Sequence, residues 1–180
     1  MPVIFPTGRV ARHVTTFLGL GLALSGCSLV SGDYDNVKCP ATGVVGGIGN
    51  VSRFDGAGTG FADLAYRASL SETQSDCSVD KDGVTVTVTV STIAELGPAA
   101  PGRTTDFPYF VAIADATDKI IAKQVFANPI TFKPDRNRAG SRDTLSQRIA
   151  LANPKDADRY HVILGFQLTE DELAYNRTRH

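Results

Sequence analysis

The chain has 180 residues, with 18 basic and 19 acidic side chains and a formal net charge of −1. That balance argues against nucleic-acid binding, which brings a strong basic excess. The apolar fraction of 42 % and the length provide for one domain with a real core, and only the N-terminal stretch holds a long apolar run.

Arg9 and Arg12 precede an apolar segment, Val14 to Leu24, of about 11 residues; a membrane-spanning helix needs ~20. Leu24-Ser25-Gly26-Cys27 follows, with two small residues that leave little bulk around a cleavage site. This segment resembles the lipobox of bacterial lipoprotein precursors, and all four positions match. The resemblance covers residues 1–27. It implies a signal peptide over 1–26, a diacylglyceryl group on the Cys27 sulfur, and an acylated new amino terminus. One acyl chain binds a membrane only marginally, whereas two or more hold it stably. Ser28 stands where many Gram-negative lipoproteins retained in the inner membrane carry aspartate, so the resemblance points to the outer membrane, facing the periplasm. Removing 26 residues takes two arginines away and leaves a net charge of about −3.

Residues 27–38 read as a lipidated flexible tether, with Ser31, Gly32, Asp33, Asp35 and Asn36. The domain proper spans 39–180. With Cys27 assigned to lipid, Cys39 and Cys77 remain as an even pair for an oxidising compartment, and a disulfide between them is expected. The rival is zinc or a catalytic thiol. Zinc needs four ligands at short spacings, and past residue 27 the only histidines are His161 and His180.

Period-2 patterning dominates the domain. Val84 to Val90 alternates valine with threonine, so one face is buried and one wet, and branched β-carbons oppose a helix. Asp82-Gly83 before it predicts a hairpin with the segment Cys77–Val79. Leu64 to Leu70, Phe107 to Ile113, Leu145 to Leu151 and Tyr160 to Leu168 alternate likewise. Val44 to Phe54 and Ile120 to Phe132 are weaker strands. Turn clusters fall at 55–60, 98–102, 115–118, 134–141 and 153–158. The expected fold is all-β: an antiparallel sandwich of immunoglobulin or fibronectin type, with seven or eight strands. A small barrel is the alternative. Thr169-Glu-Asp-Glu172 has capping-box spacing and predicts a short C-terminal helix fraying by Arg177, with Leu173 and Tyr175 turned to the sandwich.

No catalytic set emerges, and no cofactor or metal is expected. The run Gly43 to Gly49 lacks the lysine and hydroxyl of a phosphate loop and reads as a twisted or bulged strand. The carboxylates are dispersed, and the Glu170–Glu172 cluster is explained by capping. His161 sits in strand register facing away from the core with Ile163. Ser69, Ser71 and Ser91 lie in strands, not in a nucleophile elbow. Two surface features remain for a partner. Arg136, Arg138 and Arg142 form the densest basic loop, able to meet phosphate or an acidic protein, though Asp135 and Asp143 dilute it. Phe110, with Ala112, faces outward and could mark an apolar contact patch.

The segments Phe107-Pro-Tyr-Phe-Val-Ala-Ile, Gly165-Phe-Gln-Leu-Thr and Leu173-Ala-Tyr-Asn-Arg177 resemble small lipoproteins of alphaproteobacterial type, over about residues 39–177. No activity is attached to that group, so it implies no site residue. The expectation is a non-enzymatic envelope protein, held by lipid on Cys27, with a structural or protein-interaction role. A ligand- or glycan-binding module is the alternative, and an unrecognised hydrolase the third reading.

Overall fold

The computed structural model describes Tyr34 and residues 36–179. Cys27, Asp33 and Asp35 lie outside the described residues. Among the described residues there are ten strands: β1 (Ala41–Val44), β2 (Asn50–Phe54), β3 (Leu64–Asp80), β4 (Gly83–Leu96), β5 (Thr104–Asp106), β6 (Tyr109–Ala114), β7 (Ile120–Phe126), β8 (Pro129–Thr131), β9 (Arg138–Ala150) and β10 (His161–Phe166). Helix α1 (Glu170–Arg177) comes after them.

Eight of these strands build two four-stranded sheets, so the all-β, sandwich-like class is as expected, but the described residues form ten strands rather than seven or eight and one pair is parallel. The back sheet runs β2-β3-β4-β9 and the front sheet β1-β10-β6-β7, while β5 and β8 form a two-stranded ribbon. All pairs are antiparallel except β1 with β10. The valines at 84, 86, 88 and 90 are at most 1 % exposed, and their intervening threonines face outward. Each such valine contributes roughly 1.5–3 kcal/mol as an upper figure. They face Tyr109, Val111, Val162 and Leu164 of the front sheet in a single core. Ile130 of the ribbon, with Phe107 and Phe132 just past its two strands, fills the end beside Tyr66, whose hydroxyl donates to the Gly102 carbonyl at 2.8 Å.

The expected strand Val44 to Phe54 is two strands in two sheets. Val45 N–H and the Ile48 carbonyl still bond β10, whereas the Gly49 carbonyl accepts from Leu70 of β3. Between them Gly47 takes φ +81°, a left-handed conformation that glycine adopts without a Cβ penalty. The glycine run therefore carries the chain from the front sheet to the back. Ile120 to Phe132 divides likewise into β7 and β8. In the other direction, Leu64–Leu70 and Cys77–Val79 belong to one strand, β3, with a bulge between Glu72 and Gln74.

Candidate functional site

Cys39 and Cys77 form a disulfide, with Cα atoms 5.9 Å apart. It fastens the segment leading into β1 to the far part of β3. The Asp82-Gly83 hairpin forms as expected, with Asp80 opposite Gly83. Asp80 also receives a forked bond from Arg148 of β9, at 2.7 and 2.8 Å, and the Asp82 amide at 2.9 Å. Those donors, Arg148 first, hold its carboxyl at about 2, below the ordinary 3.8.

The arginine segment is arranged differently from a basic loop. Only Arg136 lies in the turn; Arg138 and Arg142 are on strand β9, because the alternation of 138–150 pairs with β4 over its whole length. Both point outward. Arg138 shares a cross-strand row with Glu95 and Arg67, and Glu95 is already bonded to Arg67 (Nε to Oε2, 2.6 Å), so the row carries one net positive charge. Arg142 shares its row with Ser91 and Ser71, and donates to Ser91 Oγ at 3.3 Å. Arg136 sits 3.9 Å from Asp135. Thus Arg138 and Arg142 supply the uncompensated charge of β9. Further along, Thr89 meets Thr144 at 3.3 Å and Thr87 meets Ser146 at 3.2 Å, so the outer back face is a ladder of hydroxyls.

β9 is also an edge. Its register with β4 is unbroken from Gly83↔Ala150 to Glu95↔Arg138. On its other side no strand is paired with it among the described residues. In an antiparallel strand alternate residues direct both backbone groups to one side, so every second residue of β9 directs its N–H and C=O away from β4; near the start of the strand β8 approaches, and Ser141 Oγ donates to Asn128 Oδ1 at 2.7 Å. Between the two arginines stands Gly140, beside a shallow recess lined by Ile93, Arg136, Asn137 and Arg138.

Phe110 is half-buried rather than fully displayed. Lys123 Nζ lies 4.2 Å from its ring centre, and that ammonium also donates to Gln167 at 2.9 Å. Ala112, expected beside it on an exposed patch, is 1 % exposed. The apolar exposure of the front sheet lies instead at its β7 edge, where Ile120, Ile121 and Val125 are about half exposed. His161 and Ile163 are half-buried with Val162 turned inward, the register read from sequence.

The capping box forms fully: Thr169 Oγ1 accepts from the Glu172 amide at 3.2 Å, and Glu172 accepts from the Thr169 amide at 2.8 Å. Glu172 has a second task that its spacing does not announce. Its other oxygen accepts from Arg53 Nε at 2.7 Å, and Arg53 continues to the Asp106 carbonyl and over the Phe107 ring. Asn176 Nδ2 donates to the Gly47 and Asn50 carbonyls at 2.8 Å each, so α1 docks by polar contacts, with Tyr175 against Phe54 at 4.9 Å. Beside that pair a cavity of about 340 Å³ is lined by Phe54, Phe61, Tyr175, Arg67 and Arg179. Inside the sandwich, Tyr109 donates to Asp143 at 3.0 Å; burial first, then that carboxylate, pushes the phenol upward. Nothing in the local sequence signals the Arg53 or Tyr109 links.

Among the described residues no three His, Cys, Asp or Glu side chains converge as metal ligands, and no helix is long and apolar enough to cross a membrane. No protein-family model, curated protein or solved structure matches this chain.

Proposed function

We propose that this chain is the precursor of a lipid-anchored periplasmic envelope protein with a non-enzymatic, protein-binding role. The anchor reading rests on Leu24-Ser25-Gly26-Cys27, and the disulfide at the start of the domain suits an oxidising compartment. The observation that carries the binding role is the open β9 edge with its uncompensated Arg138 and Arg142. An unpaired strand edge is a ready template for another chain.

Two measurements test it. Mass spectrometry of the N-terminal peptide should find diacylglycerol on Cys27, and Cys27→Ser should release the protein from the membrane fraction. An unmodified full-length chain sinks the anchor. Affinity isolation of the lipidated protein in mild detergent should bring down a stoichiometric envelope partner that Arg138→Glu with Arg142→Glu loses. A lone monomer opposes the binding role. A second reading, a glycan- or ligand-binding module, is favoured by the cavity beside Tyr175, where aromatic faces and two guanidinium groups meet. Saturable titration with peptidoglycan fragments, abolished by Tyr175→Ala, is its expected sign.

A further inference from the structure

We infer that β9 accepts an extended acidic segment of the partner as an additional strand, reading the pattern acid–any–apolar–any–acid. This rests on the protein-binding role proposed for the chain and specifies its geometry. Strand addition needs a long edge in regular register with unpaired backbone groups, and β9 pairs β4 over 13 consecutive residues without a register shift. The other edges are poorer: β1 has four residues, β2 has five with α1 packed beside it, and β7 is interrupted by a bulge opposite Ile113 and Ala114, whereas β9 is long and regular, and β8, which approaches it near Ser141, does not pair with it.

Side-chain chemistry then selects the occupant. In an added antiparallel strand, residues directly opposite each other share a face. The outward positions at this end of β9 are Arg138, Gly140 and Arg142, and none of the outward side chains of β9 is acidic. A carboxylate opposite each arginine completes a charge-assisted bond. Opposite Gly140 there is room for one branched apolar side chain, over the recess whose wall is Ile93, itself 39 % exposed. The far half of β9 lacks this preference because Arg148 is already held by Asp80. The inward neighbour Asp143 is occupied with Tyr109.

The test uses full-length protein in mild detergent and a synthetic peptide, acetyl-Thr-Glu-Thr-Ile-Thr-Glu-Thr-amide. Hydrogen exchange should show slowed amides at the start of β9 and unchanged amides in β7. Arg138→Glu with Arg142→Glu should weaken binding about tenfold, and a peptide with lysine in place of glutamate should recover it. Peptide N-methylated at alternate residues keeps its charge but loses strand pairing, so it should not bind. Unchanged β9 exchange, binding that survives the charge reversal, or equal binding of the N-methylated peptide overturns the inference, as does a protein dimer paired through β9. The read-out is independent of the anchor: absent lipid on Cys27 would leave peptide binding intact. Partner capture without peptide protection would keep the binding role and remove strand addition.

Discussion

The two sheets of the sandwich share a core but are built in opposite ways. The back sheet is built on three long neighbours, β3, β4 and β9, of 17, 14 and 13 residues, with the short β2 at its other edge and β9 in unbroken register with β4. Its outer face carries threonines, serines and arginines on regular rungs. The front sheet pairs β1 and β10, the first and last strands, side by side and adds β6 and β7, and its strands have four to seven residues. The back sheet is therefore specified by local alternation and a tight hairpin. The front sheet depends on distant fastenings: the Cys39–Cys77 disulfide ahead of β1, the Arg53–Glu172 pair behind β10, and the Tyr109–Asp143 bond between the sheets. Short strands with few ladder bonds hold only when such pins relieve the entropy of bringing chain ends together.

The disulfide is the largest of these pins. Its cysteines are 38 positions apart, so Cys39→Ser with Cys77→Ser should cost about 4 kcal/mol in urea unfolding, less any native strain in the bridge. Exchange should quicken in β1 before β3. Uniform loosening of both sheets would break the contrast between them. Next comes the back-sheet hairpin. Gly83 has φ +143°, and a Cβ there would press on the Ile149 carbonyl and the Leu151 amide. Gly83→Ala should cost about 3 kcal/mol, and a circular-dichroism melt that barely moves would show that the hairpin adapts.

Glu172→Ala removes the side-chain half of the α1 capping box, the bond from the Thr169 amide, and leaves Arg53, half-buried, without its carboxylate. A loss of about 2 kcal/mol is expected, with Glu172→Gln intermediate because the amide keeps the cap. Equal losses for both variants would mean that the cap contributes nothing. Tyr109→Phe keeps the ring and loses one buried bond to Asp143. It should cost about 1 kcal/mol and should be seen equally from probes in either sheet, since it links them.

The smallest effect lies within the back sheet. The Asp80 carboxyl is held at about 2 against an ordinary 3.8. A depressed carboxylate stabilises the fold above its unfolded pKa, and that contribution fades as pH falls from about 4 to 2. Asp80→Asn should flatten this acid limb and lower stability evenly across the pH range of about 5–8, where the carboxylate's contribution is fully present. A limb of the same slope in the variant would assign it to other carboxylates.

Much of the back sheet is legible in the sequence. The valine–threonine alternation from 84 to 90, the Asp82-Gly83 turn and the Thr169–Glu172 cap are local patterns, and each forms as its residues dictate. The disulfide follows from cysteine arithmetic. The candidate site is only half legible. Arg138 and Arg142 are visible as a basic cluster, but proline, glycine and serine around them read as a loop, and their position on a strand edge follows from pairing with β4 some fifty residues earlier. Phe110 is visible as an outward aromatic; Lys123 covering it is not.

By itself the sequence determined an alternating β-chain with one hairpin, one capped helix and one cysteine pair, because alternation, turn chemistry and capping act within a few residues. Tertiary structure alone decided that the Gly43–Gly49 run passes from one sheet to the other, that β9 ends the back sheet with an open edge, and that Glu172 serves Arg53 as well as its own helix. Those outcomes depend on which distant strand claims each backbone group, and side-chain periodicity carries no record of that choice.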